Sequence, residues 1–395
     1  MSKHRVALFN EIAARGLERF PHARYIVGKG LSNPDAILLR SHVLAAADVA
    51  PSVKAIARAG AGVNNIPVEA MSQRGVAVFN APGANANAVK ELVLGLMLAH
   101  ARNVVPAIAY VDGLEAGPRL KEQLEEGKKQ FSGFELAGRT LGVIGLGAIG
   151  GLVADTAIKL GMDVLGYDPE ITVDSAWRLP SSVRKAQSIE EVMKGSDFVT
   201  LHVPLNERTK HLVNAKRLGL ARRSLVLLNF ARDGIVDEAA LATALHDKKL
   251  RGYITDFPGE RLKGVAGVMA LPHLGASTEE AEENCAVMVA DELREFLEQG
   301  TVRNAVNFPG VEMARESPHR IAIANANVPN MLGQISTTMA QAGLNIHNMV
   351  NKSRGEMAYT LVDLDSAAAP EVIERIARIP GVLSIRSVPE PGAKP

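Results

Sequence analysis

Three glycines, Gly145, Gly147 and Gly150, stand between an apolar run at 141–144 and a helical pattern at 149–160. In a strand–turn–helix of this kind the first glycine makes the tight turn, the second lets the backbone approach a pyrophosphate, and the third lets the helix meet the strand. The free N–H groups at the start of the helix favour anions. The spacing therefore predicts a dinucleotide site at this turn.

Asp168 completes this pattern at the end of the next predicted strand, 18 residues after Gly150. A carboxylate at that point accepts hydrogen bonds from both ribose hydroxyls of a dinucleotide, and it repels a 2′-phosphate. We therefore expect NAD rather than NADP as the cofactor.

Three polar segments, at 229–237, 255–260 and 271–278, follow predicted strands in the same half of the chain. Ligands of open α/β sheets bind at the carboxyl ends of strands, so these segments are candidates for the reacting groups. Each segment holds one residue type that suits catalysis on an anionic substrate. They are Arg232 as a clamp for the anion, Glu260 as a group that stabilises a protonated base, and His273 as the general base.

Composition argues against several other classes of protein. Lys and Arg number 44 against 43 Asp and Glu, and no basic cluster interleaved with aromatics stands out, so we expect no nucleic-acid partner. The single cysteine, Cys285, excludes an internal disulfide and favours a reducing compartment such as the cytoplasm. We expect Cys285 to be a buried apolar residue. We also expect no metal site and no membrane span, because the uncharged stretches 140–154 and 321–351 are glycine-rich or polar.

The order of the predicted elements indicates three domains. Short apolar, β-rich runs alternate with helical stretches in two successive series, which is typical of parallel βα units. A long helix follows the second series without a third set of strands, so we expect it to pack back on the first domain and make that domain discontinuous. The predicted boundaries are 1–98 with 275–308 for a substrate domain, 99–274 for the dinucleotide domain, 309–316 for a linker, and 317–395 for a C-terminal domain.

The C-terminal domain has the predicted element order βαββαβ, which is typical of the ferredoxin-like fold. The predicted fold class is therefore α/β, with two doubly wound parallel sheets, one of them Rossmann-type, followed by this smaller domain. Asn327 and Asn345 stand at predicted strand edges of the C-terminal domain. Their amides can offer donors and acceptors to an amino-acid zwitterion at the interface of a domain pair.

Together these motifs resemble the D-isomer-specific 2-hydroxyacid dehydrogenases, over essentially the whole chain and including a C-terminal domain similar to ACT regulatory modules. The segments 58–67 and 79–91 narrow the resemblance to members that oxidise 3-phospho-D-glycerate to 3-phosphohydroxypyruvate, the first step of L-serine biosynthesis. The resemblance implies hydride transfer to NAD, with His273 as the acid/base, Glu260 as its partner, and Arg232 over the substrate carboxylate.

The resemblance also implies binding residues for each small molecule. Those for the substrate carboxylate and phosphate are Arg40, Ser41, Arg58 and Asn85. A serine effector is expected at Asn327 and Asn345, the alternative being a C-terminal domain that serves only to dimerise. Besides the three glycines and Asp168, the residues expected to contact the cofactor are Ala148, Ile149, His202, Pro204, Ala231, Asp256 and Gly275. The chain departs from the family pattern at two points: Asp256 directly precedes Phe257, and Asn330 stands where the pattern has a glycine beside the expected effector site.

Alternatives remain open from the sequence. Another D-2-hydroxyacid dehydrogenase, such as a glyoxylate/hydroxypyruvate reductase, uses the same three catalytic residue types, and non-catalytic NAD-sensing regulators share the fold. Lys128 and Lys129 are expected in a solvated loop, the alternative being contact with the phosphate pocket of a neighbouring subunit. We expect the protein to be a homodimer or a homotetramer.

Overall fold

The computed structural model describes residues 3–390 of the 395-residue chain. Its contacts divide the chain into two compact units. The first unit comprises Met1–Asn85 together with Glu279–Pro395, and the second comprises Ala86–Thr278. The first unit is therefore interrupted in sequence by the second.

The strands within residues 3–390 form three sheets. Those of the first sheet are β1 (His4–Leu8), β2 (Tyr25–Gly28), β3 (Ala36–Leu39), β4 (Ala55–Arg58) and β5 (Ala77–Phe79). Those of the second sheet are β6 (Thr140–Ile144), β7 (Asp163–Tyr167), β8 (Arg184–Lys185), β9 (Phe198–Leu201), β10 (Val226–Asn229), β11 (Gly252–Thr255) and β12 (Val268–Ala270). Those of the third sheet are β13 (His319–Ala326), β14 (Ile346–Arg354), β15 (Met357–Leu364) and β16 (Val382–Pro389).

The helices connect these strands. They are α1 (Ala14–Leu17), α2 (Val68–Gln73), α3 (Ala86–Ala101), α4 (Val104–Asp112), α5 (Leu120–Gly127), α6 (Ala148–Lys159), α7 (Val173–Trp177), α8 (Ile189–Gly195), α9 (Ala215–Leu218), α10 (Glu238–His246), α11 (Glu279–Gln299), α12 (Met331–Gln341) and α13 (Pro370–Ala377). Taken singly, no helix of the described chain has the length and apolar character of a membrane span. The pair α3 and α4, bent by 66°, meets that criterion jointly by length and composition.

The first sheet is parallel, with strand order β2-β1-β3-β4-β5. All four residues of β3 are apolar and buried, as a central strand covered on both faces requires. β3 and β4 run side by side with Leu39 opposite Arg58. The side chains of Arg40 and Arg58 therefore start from the same edge of this sheet.

The second sheet is also parallel, with strand order β12-β11-β10-β9-β6-β7-β8. The direction of winding reverses at β6, which pairs with β7 on one side and β9 on the other. Strands β9, β10 and β11 are buried throughout. In open parallel sheets this reversal opens a crevice at the carboxyl ends of the strands, where ligands bind. The segments that follow β6, β9, β10 and β11 therefore meet at the predicted cofactor site.

The third sheet is antiparallel, with strand order β14-β15-β13-β16. Helices α12 and α13 cover one of its faces, and Ile323, Ile335 and Ile376 are fully buried between them. The three sheets with their helices confirm the predicted fold class, namely two parallel α/β sheets and a βαββαβ domain.

Helix α11 joins the third sheet to the first sheet within the first unit. Phe296 of this helix shares one apolar cluster with Phe79 of the first sheet and with Tyr359 of the third. The guanidinium of Arg386 lies 4.3 Å from the centre of the Phe296 ring and donates to the Phe296 and Leu297 carbonyls. The C-terminal sheet is thus packed onto the helix that the sequence assigned to the first domain.

Buried contacts hold the segment 309–316, which the sequence suggested as a linker. Val311 and Met313 are buried. Arg320 of β13 donates to the Met313 and Ala314 carbonyls and forms a bidentate ion pair with Asp363, both side chains of which are fully buried. Side chains at alternate positions of this connection are therefore buried in the first unit, while Glu312, Ala314 and Glu316 are exposed.

Some elements differ from the sequence expectations. Strand β2 was not predicted, because it lies at the sheet edge and only Tyr25 of its four residues is buried. The glycine- and lysine-rich connection at 113–133 contains helix α5, which is short and half of whose residues are charged. Helix α3 belongs to the second unit, where Val93 and Met97 pack against its core, so the expected boundary between 98 and 99 lies inside this helix.

Candidate active site

The glycine turn lies between β6 and α6, at the strand where the second sheet reverses. Gly145 has a φ of +92°, a conformation that L side chains rarely adopt. A Cβ on Gly150 would lie 1.9 Å from the Gly145 carbonyl oxygen, so the helix approaches the turn more closely than any larger residue allows. Gly147 is exposed, and no other group comes within 4 Å of the place of its missing Cβ. The turn thus leaves the N-terminus of α6, with Ala148 and Ile149, open to a pyrophosphate.

Asp168 follows β7 and is fixed beside this turn. Its Oδ2 accepts a hydrogen bond from the Leu146 N–H at 2.8 Å, and its Oδ1 accepts one from the Glu170 N–H at 2.9 Å. The carboxylate is half-buried, and each oxygen keeps acceptor capacity for a ribose hydroxyl. The glycine cradle and this carboxylate fit NAD.

Three further residues expected at the cofactor follow β9 and β10, which lie on the opposite side of β6 from β7. The His202 Nε2 lies 2.9 Å from the Thr200 hydroxyl oxygen, and its Nδ1 is shielded without a hydrogen-bond partner in the described chain. Burial lowers the pKa of His202 to about 3, so the ring is neutral at physiological pH. Pro204 is exposed, and Ala231 is buried beyond the end of β10.

Asp256 directly follows β11 and is almost completely buried. Its Oδ2 accepts a hydrogen bond from the Gly275 N–H at 2.9 Å, so the structure brings these two expected cofactor residues together. Its Oδ1 is buried with no partner among residues 3–390. Burial raises the pKa of Asp256, against the Gly275 hydrogen bond and the charge of His273, which both act to lower it.

His273 lies in the exposed segment after β12. Its ring contacts the Phe257 ring, with the two centroids 4.5 Å apart. Glu260 is exposed at the start of the short 3₁₀ turn Glu260–Leu262. In the part of the chain that the structure describes, no hydrogen bond joins Glu260 to His273. The structure therefore positions His273 beside Phe257 and within the field of Asp256, and among the described residues Glu260 is not hydrogen-bonded to His273.

Arg232 lies in the loop after β10, half-buried, with its Nη1 donating to the Ala231 carbonyl at 2.6 Å. Buried Asn229 shapes this loop, because its Nδ2 donates to the Arg232 carbonyl and its Oδ1 accepts from the Ala231 N–H. The Thr255 hydroxyl donates to the Asn229 carbonyl and accepts from the Phe257 N–H. Asn229 and Thr255 were not among the site residues expected from the sequence, although a polar residue that ends an apolar strand is a usable signal.

In the first unit, Arg40 follows β3 and Arg58 ends β4. The Arg58 Nε and the Asn65 Nδ2 each donate to the Arg40 carbonyl, both at 3.0 Å. The Arg40 Nη2 forms an ion pair with Glu282 Oε1 at 2.6 Å. The structure thus brings the two expected substrate arginines together, and it adds Glu282, which the sequence analysis missed. The sequence feature that could have indicated Glu282 is the group of acidic residues in the first turn of α11.

The other two expected substrate residues lie at loops of the first unit. Ser41 is exposed and follows Arg40. Asn85 is half-buried, and its Oδ1 is shielded with no hydrogen-bond partner in the described part of the chain. Buried acceptors are rarely left without a partner, so this oxygen is a candidate ligand contact.

The two expected effector residues lie at opposite ends of the third sheet. Asn327 follows the β13 end that pairs with Met357, whereas Asn345 precedes the β14 end that pairs with Leu364. Both asparagines are exposed, and Asn327 borders a cavity of about 210 Å³ at the start of α12. Since β15 runs its full length between these ends, one small molecule bound within one chain contacts at most one of the two asparagines.

The remaining predicted residues have simple surroundings. Cys285 is buried, as predicted, and burial raises its pKa to about 11. Lys128 forms an exposed ion pair with Glu125, and Lys129 is exposed. Across residues 3–390 no group of three or more His, Cys, Asp or Glu side chains is placed to hold a metal ion.

Comparison with known proteins gives consistent matches. The NAD-binding domain of the D-isomer specific 2-hydroxyacid dehydrogenases matches residues 94–275. A D-3-phosphoglycerate dehydrogenase from Haemophilus influenzae is 32% identical over 364 residues, which cover 88% of this chain and 84% of that protein. Another from Methanocaldococcus jannaschii is 36% identical over 346 residues, 85% of this chain and 62% of that longer relative. A solved structure of NAD⁺-bound 3-phosphoglycerate dehydrogenase from Entamoeba histolytica aligns with a TM-score of 0.60 at 27% identity, covering 77% of this chain and 99% of that one.

A glycine turn at the reversal of a parallel sheet, followed by a carboxylate placed where it could accept ribose hydroxyls, is typical of an NAD-binding domain. The chain belongs to the D-isomer-specific 2-hydroxyacid dehydrogenase family, and its cofactor is NAD.

Proposed function

We propose that this chain oxidises 3-phospho-D-glycerate to 3-phosphohydroxypyruvate with NAD, the first step of L-serine biosynthesis. The observation that carries the substrate assignment is the pair Arg40 and Arg58, joined at the carboxyl ends of neighbouring strands by the Arg58 Nε hydrogen bond. In a chain with a formal net charge of +1, a phosphate ester needs local cations with fork geometry. Relatives named D-3-phosphoglycerate dehydrogenase support the same substrate.

The reaction divides between cofactor and protein. NAD supplies the hydride acceptor, and the residues that hold it are the glycine turn, Asp168 and the segments after β9, β10 and β11. His273 accepts the proton of the substrate 2-hydroxyl, for which its exposed imidazole is accessible. Arg232 binds the substrate carboxylate through its half-buried guanidinium.

The carboxylate that stabilises protonated His273 is expected to be Glu260, after a movement of the exposed 3₁₀ turn that carries it. Catalytic hydrogen bonds are often absent from ligand-free geometry and form when substrate binds. Asp256 already lies within electrostatic reach of His273. Glu260→Gln and Asp256→Asn, compared by their pH–rate profiles, separate the two contributions.

The direct test is a steady-state panel of 2-hydroxy and 2-keto acids with NAD and NADP. We expect the highest kcat/KM for 3-phospho-D-glycerate with NAD in the oxidative direction. Arg40→Ala and Arg58→Ala should each raise KM for this substrate far more than for an unphosphorylated 2-hydroxy acid. Preferential turnover of glyoxylate or hydroxypyruvate, with no activity on the phosphate ester, would identify the chain as a different dehydrogenase of the family.

We further propose that serine binds at Asn327 and Asn345 and inhibits the enzyme. Because these residues lie at opposite ends of one sheet, the site requires Asn327 of one chain and Asn345 of a second copy. Asn327→Ala and Asn345→Ala should each abolish serine inhibition and spare the uninhibited rate. A wild-type enzyme that serine neither inhibits nor stabilises against heat would leave the C-terminal domain without this role.

The protein is proposed to be a homodimer or homotetramer. Exposed apolar side chains recur on α4, and such a patch marks a protein interaction site. They are Val104, Val105, Ile108 and Val111. Light scattering should give a mass of two or four chains, and Ile108→Glu should lower it. A monomeric wild-type mass would contradict this proposal.

A further inference from the structure

The ion pair between Arg40 and Glu282 joins two parts of the first unit that are 242 residues apart in sequence. The Arg40 Nη2 and the Glu282 Oε1 are 2.6 Å apart, and their side chains are 39% and 40% exposed. Small anions in solvent can therefore reach both groups. Neither the fold class nor the proposed chemistry requires a carboxylate beside a substrate arginine.

The backbone of Arg40 is fixed, while its guanidinium has a partner that can be exchanged. The Arg40 carbonyl accepts hydrogen bonds from Arg58 and Asn65, which hold this residue at the end of β3. Glu282 is held by the first turn of α11, a 21-residue helix with a buried face in the core of the unit. Such an arrangement keeps the strand end in place when the guanidinium changes partners.

The surroundings of the buried Cys285 thiol, one turn along α11, give a second indication that the charges at this site lie near one another. Its surroundings include the positive charges of Arg58 and Arg40 and the negative charge of Glu282. The two arginines and this carboxylate therefore all lie within electrostatic reach of this thiol. The net charge of Arg40, Arg58 and Glu282 together is lower by one unit than that of the two arginines alone.

We propose that Glu282 is the resident counter-ion of Arg40, which an anionic group of the substrate must displace, and that it sets the affinity of this site for anions. The inference rests on the proposed function in so far as Arg40 binds an anionic end of the substrate. When an anion takes the place of Glu282 beside Arg40, the attraction between Arg40 and Glu282 is lost. The Glu282 carboxylate then repels the bound anion. The repulsion doubles for a dianion, so Glu282 weakens the binding of phosphate more than that of a monocarboxylate.

The test measures binding to the full chain by calorimetry, with inorganic phosphate and acetate as the probes. Because exposed ion pairs contribute at most about 1 kcal/mol, Glu282→Gln should tighten phosphate binding by about twofold to about fivefold. Acetate binding should tighten less. The matched control is Glu283→Gln, which removes the same charge at the next position, where the side chain pairs with Arg15 at 2.8 Å. This control should bind phosphate as the wild type does.

A double mutant tests whether the effect passes through Arg40. In an Arg40→Ala background there is no Arg40 guanidinium for which phosphate and Glu282 compete. Glu282→Gln should then change phosphate affinity only by removing the repulsion between the carboxylate and phosphate, which is a smaller effect. In steady-state assays Glu282→Gln should lower KM for the phosphorylated substrate and leave kcat unchanged, a split that a purely structural role does not produce.

Several outcomes would overturn the inference. These are unchanged or weaker phosphate binding in Glu282→Gln, an equal gain in Glu283→Gln, an effect of full size without Arg40, and no measurable phosphate binding in either wild type or Glu282→Gln. The proposed function fails separately, if the wild type does not turn over 3-phospho-D-glycerate with NAD. The calorimetric result does not depend on turnover, so the two failures are distinguishable.

Discussion

Breaking the buried pair Arg320–Asp363 should strongly destabilise the C-terminal sheet, and Asp363→Asn tests this. The Asp363 carboxylate accepts from Arg320 Nε at 2.7 Å and Nη2 at 2.8 Å, and from the Glu316 N–H at 3.0 Å. Both side chains of the pair have no exposed surface. Removing one partner of such a pair leaves an uncompensated buried charge, which costs about 3–5 kcal/mol.

The surroundings place Asp363→Asn at the upper end of this range. Arg320 keeps the Gln299, Met313 and Ala314 carbonyls as acceptors, but none of these is charged. Arg315 lies close enough for its pKa to be lowered by burial and by the charge of Arg320, so a second cation opposes the unpaired guanidinium. Because domains are stable by only about 5–15 kcal/mol, a loss of this size should open the sheet.

Hydrogen exchange with mass spectrometry follows this opening locally. Peptides from β13 and β15 should lose protection in Asp363→Asn, while peptides from β6 and β9 in the second unit serve as the internal reference. The matched control is Asp365→Asn, which removes the same charge at an exposed position two residues along and should cost less than about 0.5 kcal/mol. If hydrogen exchange in Asp363→Asn matched that in Asp365→Asn, the unpaired Arg320 would carry no such cost and the prediction would be wrong.

The same pair predicts an acid limit to stability. Burial acts to raise the pKa of Asp363, but the Arg320 hydrogen bonds and charge outweigh it and hold the pKa below its ordinary value. A carboxyl with a lowered folded-state pKa contributes stability above its unfolded pKa, about 3.9, and loses it as pH falls through the folded value. The wild type should therefore lose protection in β13 and β15 below about pH 4, and Asp363→Asn should lack this transition.

Three further predictions follow from the second unit and from α11. His273→Ala should lower kcat by about 10² to 10⁴ with NADH binding near normal, since general acid–base catalysis has this size, and a variant with more than half the wild-type rate would remove His273 from the mechanism. Asp168→Ala should weaken NAD binding and reduce the preference for NAD over NADP. Unchanged cofactor selectivity would refute the proposed contact between Asp168 and the ribose. Burial raises the pKa of Glu292 from an ordinary value of 4.5 to about 8, so the free energy of unfolding should fall as pH rises between these values. Glu292→Gln keeps the Asn304 hydrogen bond and should remove this dependence of the unfolding free energy on pH. At 1.36 kcal/mol per pKa unit, the variant should be more stable than the wild type above pH 8 by at most roughly 5 kcal/mol. The same pH dependence in the variant as in the wild type would contradict this.

Features that depend on short stretches of chain could be predicted from the sequence. The turn at Gly145 and Gly150 is one, because positive φ and close backbone approach demand glycine at those positions whatever the rest of the chain does. The strand ends that carry Arg232 and Asp168 are others, since buried parallel strands are continuous apolar runs. The βαββαβ order of the C-terminal domain followed from the same periodicities.

The tertiary structure decided which distant residues meet. Glu282 reaches Arg40 across 242 residues, and Asp363 pairs with Arg320 because β13 and β15 run antiparallel in a register that sets them opposite each other. The same register separates Asn327 from Asn345, which the sequence had placed in equivalent strand-edge positions. Local patterns report periodicity and backbone propensity over some ten to twenty residues, whereas partners of this kind depend on strand order, register and helix packing, which no local window contains.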